Sequence, residues 1–196
     1  GWNPDDFSSQ LEEIYQNALR QAQEQEALAN QLKQSNLTDI DEQYNLGTGM
    51  LDQTKASSLG QLGTNAITAR QQQEQALNEA RALYDELTRA GSQMFGGLSG
   101  ASQYAKSIIG AEQQRQMGKT RQSTLDTLRN IDTQKVLVEQ NYQTKMQELQ
   151  VQKSSAIREA NNNFSSALSV INADRTTAAN EKAMAKMNLL KEYKTQ

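Results

Sequence analysis

A phosphate-binding loop is the first chemistry that the sequence suggests, at Gly118-Lys119-Thr120. Such a loop has the form G-x-x-x-x-G-K-[ST] and follows a strand, because its glycines let backbone N–H groups approach the phosphates. The position five residues before Gly118 is Gln113, and the flank 111–117 is helical in composition. The triplet therefore matches by chance, and we predict no nucleotide site and no cofactor.

Acidic residues close together in the chain are the second group that could carry chemistry. Acid–base catalysis needs two carboxylates held in a desolvated cleft with different surroundings, whereas these acids fall on polar helix faces or near predicted helix starts. Those between 39 and 42 lack the glycine and the distal glutamate of a calcium loop. The chain has no histidine and no cysteine, and so lacks the commonest general base and any thiolate ligand. We therefore predict no enzyme and no metal site. The acids are Glu12 and Glu13, Asp39, Asp41 and Glu42, and Asp85 and Glu86.

The composition favours long, thin helices over a globular core. Apolar residues make up 36% of the 196 residues, below the roughly 45–50% of ordinary globular domains. Glutamine occupies 27 positions, and the presence of a single proline, Pro4, argues against a disordered chain. No apolar run approaches the ~18 residues that a membrane-spanning helix needs. The predicted helices depend on partners to bury their apolar stripes.

Two heptad repeats, with apolar residues spaced by fours and threes, predict helices in the N-terminal half. The first helix covers residues 1–36 and starts with a capping box between Ser9 and Glu12. Residues 37–63 contain four glycines and predict a linker with a short helix. The second heptad helix covers 64–92. We call the stripe of residues by which a helix packs against another helix its seam. The predicted seam of the first helix is Leu11, Tyr15, Ala18, Ala22, Gln25, Ala29 and Leu32, and that of the second is Leu62, Ala66, Ala69, Gln73, Ala76, Ala80, Leu83, Leu87, Ala90 and Met94.

An apolar, glycine-rich joint at residues 93–118 allows two interpretations. It is a turn whose apolar side chains close the end of a helical pair, which we favour, or a flexible apolar tip that inserts into a partner or a bilayer. In both cases its large apolar side chains are candidates for contact with a neighbouring subunit or a membrane. They are Met94, Phe95, Leu98, Tyr104, Ile108 and Ile109.

Residues 119–196 contain no glycine or proline, and they predict one long C-terminal helix, or two helices with a bend near 161–163. Apolar residues recur there every eleven residues, a period that favours straight or slightly right-handed packing over a left-handed supercoil. The two series are Val138, Leu149, Ala160 and Ile171, and Met146, Ile157, Leu168, Ala179 and Leu190. From this segment the predicted contact residues are Val138, Leu149, Ile157, Phe164, Leu168 and Ile171.

The sequence as a whole predicts an all-α fold of long, coiled-coil-like helices in a hairpin arrangement, joined by glycine-rich turns and elongated rather than globular. Charge is unevenly distributed, with 14 acidic and 6 basic side chains in residues 1–98 and 9 acidic and 14 basic side chains in residues 99–196. Either the acidic half packs beside the basic half, which we favour, or the basic half faces nucleic acid or another polyanion.

Three segments resemble proteins of tailed bacteriophages in their Gln-, Ala- and Asn-rich helical texture. They are ITARQQQEQALNEARALYDEL at 67–87, MFGGLSGASQYAKSIIG at 94–110 and QNYQTKMQELQVQKSSAIREANNNFSSAL at 140–168. The texture is similar to that of the internal virion proteins of short-tailed phages, which act as ejection or cargo proteins, and less closely to that of tail tape-measure proteins. The resemblance implies a non-enzymatic structural protein of the virion that oligomerises around the portal or tail axis and takes part in genome ejection.

The partners that this resemblance implies are further copies of the chain and other virion proteins of the portal, tail or core. Loose electrostatic contact with DNA and contact with a membrane during ejection are further expectations, and no small-molecule substrate is expected. The alternative is a cellular or secreted coiled-coil scaffold or adaptor, located in the cytoplasm or outside the cell. A third class, a protein that condenses nucleic acid, depends only on the basic half.

Overall fold

The computed structural model describes residues 3–96 and 100–195 of the chain. These residues form two helices, α1 at Pro4–Phe95 and α2 at Gly100–Thr195, and no strand occurs among them. The predicted all-α fold with long helices in a hairpin arrangement is therefore confirmed. The chain divides into two compact units, of which unit 1 contains Gly1–Thr48 and Gln147–Gln196, and unit 2 contains Gly49–Met146. In each unit a segment of α1 packs against a segment of α2.

The start of α1 lies earlier than the predicted capping box. Asn3 precedes the first helical residue, Pro4, and its side-chain oxygen accepts a hydrogen bond from the backbone N–H of Asp5 at 3.1 Å. Asparagine is a strong N-cap, and proline suits the first helical position because its missing N–H would have no helical partner there. The capping box at Ser9 and Glu12 is therefore wrong, since both residues lie inside the helix.

The end of α1 is set by a glycine. Gly96, directly after the last helical residue, has a φ of 69°. This left-handed conformation is typical of the residue that follows a helix, and glycine adopts it without a Cβ clash. The joint predicted at 93–118 thus contains a turn at Gly96, while its residues from Gly100 onward belong to α2.

The predicted linker at 37–63 is helical throughout, so this part of the sequence interpretation is wrong. Each glycine inside a helix costs only about 1 kcal/mol relative to alanine. That cost is offset when the same segment buries an apolar face, and Leu62, within it, is buried. The polar run at 161–163 is also helical and lies within α2. Of the two predictions for 119–196, one long helix therefore agrees with the secondary structure, and two separate helices do not.

The seam of α1 in unit 1 agrees with the predicted heptad at five of its seven positions, since Leu11, Tyr15, Ala18, Ala22 and Ala29 are buried or half-buried. Gln25 and Leu32 are exposed, and the seam continues instead with an eleven-residue period. Ala22 is buried and Lys33 and Tyr44 are half-buried, eleven residues apart. A heptad averages 3.5 residues per turn and an eleven-residue repeat 3.67, so a heptad assignment drifts away from the true seam within a few turns.

The seam of α1 in unit 2 contains the predicted heptad positions from Leu62 to Ala80, which are buried or half-buried, and it departs from the heptad beyond them. Leu77, Tyr84 and Thr88 are half-buried, whereas Leu83 and Leu87 are exposed although the heptad had placed them in the seam. Met94, the last member of that heptad, is exposed as well. These three residues thus become surface residues and enter the candidate site below.

The eleven-residue period predicted for α2 agrees with the burial along that helix. In the first series, Ala160 and Ile171 are buried, and Val138 and Leu149 are half-buried. The second series is half-buried from Met146 to Ala179, and only its last member, Leu190, is exposed. Because both helices have this period, their seams stay in contact within each unit without a left-handed supercoil.

We predict that the seam, rather than helix propensity, holds unit 1 together. Ile171 is 5% exposed, while its neighbour Val170 is 62% exposed. Replacing Ile171 with alanine should therefore lower the free energy of unfolding by about 2–4 kcal/mol through lost burial and a cavity. Replacing Val170 with alanine should change it by less than about 0.5 kcal/mol. Urea unfolding followed by circular dichroism would measure both, and equal effects would contradict the assigned seam.

Candidate interaction surface

Lysine, tyrosine and acidic side chains form repeated clusters across the seam of unit 1. The ammonium group of Lys153 on α2 lies 4.5 Å from the ring centroid of Tyr44 on α1 and 3.0 Å from a carboxylate oxygen of Asp41. The acid and the tyrosine are three residues apart, so they lie on one face of α1. Lys182 makes the same pair of contacts with Tyr15 and Glu12.

Unit 2 contains a cluster of the same kind with the helices exchanged. Lys55 on α1 lies 4.4 Å from the ring centroid of Tyr142 on α2, and its Nζ is 2.8 Å from Glu139 Oε2. The Tyr142 hydroxyl donates a hydrogen bond to Asp52, three residues before the lysine. A lysine that is partly shielded from water gains about 1–2 kcal/mol from an aromatic face. Each cluster therefore favours one alignment of the two helices.

Two further contacts in unit 1 follow the same eleven-residue steps. Lys33 lies 4.6 Å from the centroid of Phe164, where the residue three positions earlier is Asn161 instead of an acid. Arg175 donates a hydrogen bond to Glu26 at 2.7 Å. Phe164, a predicted contact residue, thus contacts a lysine of its own chain. The sequence interpretation missed Glu26, Lys33 and Arg175 because it treated charged residues as solvent-exposed, and the repeated lysine–tyrosine spacing was the signal that could have identified the clusters.

The charge distribution within unit 1 fits the favoured interpretation of the uneven charge. Among the described residues of unit 1, three ion pairs join the helices, and in each of them the acid belongs to α1 and the base to α2. The pairs join Asp41 to Lys153, Glu26 to Arg175, and Glu12 to Lys182. Part of the basic excess of the C-terminal half is therefore neutralised inside the chain.

Hydrogen bonding lowers the pKa of the Glu12 carboxyl. Hydrogen bonds from Lys182 and, to a lesser degree, from Gln16 hold the pKa of the Glu12 carboxyl below its ordinary value. On the surface of α2, a hydrogen bond from Arg115 at 2.9 Å lowers the pKa of Glu112 in the same way. These are ion pairs at the protein surface, and their geometry shows stabilisation of the charged carboxylate rather than an acid poised for proton transfer.

The predicted contact residues of α2 fall mostly inside the seam. Ile109, Val138, Leu149, Ile157, Phe164 and Leu168 are half-buried and Ile171 is buried. The Cδ1 atom of Leu149 would lie 3.1 Å from a Cβ atom added at Gly47, so the glycine lets the leucine approach α1 closely. These side chains thus pack within their own units of the chain. Leu98 and the side chain of Phe95 lie outside the described residues.

The remaining predicted contact residues, Met94, Tyr104 and Ile108, are exposed, and Met94 and Tyr104 expose 79% and 70% of their area. Leu83 and Leu87 on α1 join them as exposed apolar residues near the same turn. We call these five residues the tip surface. Leu83, Leu87 and Met94 are spaced by four and seven residues, and Tyr104 and Ile108 by four, so each set lies on one face of its helix.

A groove in unit 2 indicates that Leu83 of α1 and Ile108 of α2 lie on the same side of the helical pair. Gln72 of α1 and Lys119 of α2 line one groove, together with Ala69, Thr120 and Ser123. Leu83 lies eleven residues after Gln72, and Ile108 lies eleven residues before Lys119. Because the helices are antiparallel and share the eleven-residue period, Leu83 and Ile108 occupy the corresponding positions one repeat nearer the turn.

Charged residues near the turn lie mainly on the opposite side. Arg81, Asp85 and Arg89 are spaced by four and lie on one face of α1, and Asp85 is two residues from both Leu83 and Leu87. Two residues along a helix correspond to a rotation of about 200°. On α2, Lys106 is half-buried and belongs to the seam. Near the turn, α1 therefore has one apolar and one charged side.

The described part of the chain contains neither a cluster of metal-ligating side chains nor a helix that could span a membrane. No group of three acidic side chains in residues 3–96 and 100–195 lies close enough to hold a metal ion. Within the same residues, no helix has a stretch long and apolar enough to cross a bilayer. Comparison with protein-family models, with curated proteins and with solved structures finds no match to this chain.

The lysine clusters should contribute measurably to stability. Replacing Lys55 with methionine keeps an apolar stem against Tyr142 but removes the charge that contacts the ring and Glu139. We expect the free energy of unfolding to fall by about 1–2 kcal/mol. The matched change at the exposed Lys145 should cost less than about 0.5 kcal/mol. Chemical unfolding of both variants would test this, and equal losses would contradict a specific role of the cluster.

The contact between Glu12 and Lys182 should make stability sensitive to acid. Because the pKa of Glu12 is lowered in the folded chain, the contribution of this contact is present above pH 4.5 and is lost as the pH falls through the folded pKa. The Glu12→Gln variant should therefore lose less melting temperature on acidification than the unsubstituted chain. Glu13→Gln, at an exposed neighbour, is the control and should behave like the unsubstituted chain. Melting curves between about pH 6 and pH 3 would measure this, and identical pH dependence of Glu12→Gln and the unsubstituted chain would refute it.

Proposed function

We propose that this protein is a non-enzymatic structural protein whose helices assemble into an oligomer. The observation that carries the proposal is the tip surface, a set of large apolar side chains exposed at the end of a helical pair. Exposed apolar patches of this kind mark contact sites, because leaving them in water is unfavourable. Glu12, Glu26 and Asp41 of α1 pair with bases of α2 across the seam, as in a structural protein.

The virion of a tailed bacteriophage is the setting that we propose for this oligomer. The proposal rests on the textural resemblance of residues 67–87, 94–110 and 140–168 to internal virion proteins. In that setting the chain would contact further copies of itself and other proteins around the portal or tail axis, and it would take part in genome ejection. Long helices with thin seams suit such a role, since they gain stability by packing against neighbours.

DNA contact in this setting would be loose and electrostatic. Basic residues of α2 are spread along the helix, and Lys153, Arg175 and Lys182 are already engaged with acids of α1. A tight DNA site needs several lysine or arginine side chains free to meet phosphates together. The arrangement therefore favours assembly between protein chains over nucleic-acid condensation.

The experiment that tests this function is a mass measurement on the full chain. Light scattering coupled to size-exclusion chromatography at several protein concentrations should give a mass well above that of the 21.8 kDa chain. The mass should rise with concentration or reach a fixed multiple of the chain mass. A chain that stays monomeric at all concentrations would refute the proposal. Circular dichroism on the same samples, with a helical signal throughout, controls for unfolding.

A further inference from the structure

We propose that the tip surface binds the same surface of a second copy of this chain, with the two copies related by a two-fold axis. This inference rests on the proposed function and names the contact by which the chain assembles. The contact would bring two helical pairs together at their turns as a local four-helix bundle. In an isolated pair of helices, each helix buries one apolar stripe, whereas in a four-helix bundle each helix also buries a second stripe against a neighbouring pair.

The area of the tip surface is sufficient for such a contact. Its side chains expose between 44% and 79% of their area, and together they present on the order of 500 Å² of apolar surface. Joining two copies would bury about 1,000 Å² in total, which is near the lower limit for a specific protein interface. The contact should therefore be reversible and depend on protein concentration.

The composition around the tip surface suits a contact between identical chains. Ala90 on α1 and Ala101 on α2 are small, exposed residues near the turn. Small side chains allow two helices to approach closely. Arg81, Asp85 and Arg89 lie on the other side of α1, so two tip surfaces can meet without placing these charges against each other.

Charged residues at the margin of the tip surface complete the expected interface. Glu86 lies next to Leu87, and the Glu112–Arg115 pair lies on α2 beyond Ile108. An interface with an apolar centre and a polar, solvent-exposed rim is the common arrangement between proteins. These rim charges remain in water when the apolar centre is buried.

A bilayer is a poorer match for the same surface. Helices that lie on membranes carry lysine and arginine across the whole polar face, where they meet anionic headgroups. Here the polar side of α1 mixes Arg81 and Arg89 with Asp85, and Glu86 borders the apolar side. The bilayer is therefore treated as an outcome of the experiment.

Cysteine cross-linking tests the contact directly, because the chain has no cysteine of its own. Leu87→Cys places one thiol in the tip surface, and Asp85→Cys places one on the opposite side of the same helix. Under a mild diffusible oxidant, Leu87→Cys should form the disulfide-linked dimer at least about ten times faster than Asp85→Cys, as seen on non-reducing gels. Equal rates for the two variants, or no dimer from Leu87→Cys, would overturn the inference.

A charge-insertion experiment separates this inference from the proposed function. The variant with Leu83→Glu and Leu87→Glu should shift the mass measured by light scattering to smaller species while keeping its helical signal. The variant with Leu28→Glu and Leu32→Glu is the matched control, since these leucines have the same spacing and expose 64% and 63% of their area. It should assemble like the unsubstituted chain.

The outcomes are distinct. If the unsubstituted chain is oligomeric and the Leu83/Leu87 variant stays equally oligomeric, the tip contact is refuted and the proposed function stands. If the unsubstituted chain is monomeric, both are refuted. If the chain stays monomeric but sediments with phosphatidylcholine vesicles, and the Leu83/Leu87 variant does not, the occupant of the tip surface is a bilayer and the second-copy contact is overturned.

Discussion

The alignment of α1 with α2 within each unit is the constraint on which the other features depend. Each helix repeats every eleven residues, and within unit 1 one step along α1, from Lys33 to Tyr44, corresponds to one step back along α2, from Phe164 to Lys153. Small residues fill much of the seam, so apolar packing alone would discriminate weakly between neighbouring alignments. The lysine–tyrosine–acid clusters add this discrimination, because a shifted helix would leave a partly buried ammonium group without its ring and its carboxylate.

The helices tolerate glycine and polar residues in their interior because the contact between the two seams offsets the cost. A glycine interrupts a helix only if its cost exceeds the free energy that the helix gains by burying its seam. The cost of about 1 kcal/mol per glycine is smaller than this gain. At Gly47 the absence of a Cβ also makes room for Leu149. At Gly96 the backbone adopts the left-handed conformation, and the helix ends. Glycine thus occurs both inside and at the end of α1, according to the backbone conformation that it adopts.

The same alignment creates the tip surface. Because the true period exceeds 3.5 residues per turn, the leucines that a heptad would bury rotate away from the seam by the end of α1. Leu83, Leu87 and Met94 are consequently exposed, and Thr88 takes a seam position instead. The Thr88 hydroxyl has no hydrogen-bond partner among the described residues. A polar side chain thus lies in the seam, while the larger apolar side chains of Leu83 and Leu87 lie outside it. That distribution is expected if a second partner buries the outer leucines.

The sequence by itself determined the helical class, the eleven-residue period of α2 and the position of an apolar turn near Met94. These follow from local spacing and composition, which act over a few turns. It did not determine where the seam of α1 departs from the heptads or the helicity of 37–63, and it did not identify Leu83 and Leu87 as surface residues. Those depended on which face of α1 meets α2, and the lysines and acids that specify this face look like surface charges until a ring from the other helix lies beside them. Only the tertiary structure brings these distant residues together, because the pairing energy comes from contacts such as Lys33 with Phe164, far apart along the chain.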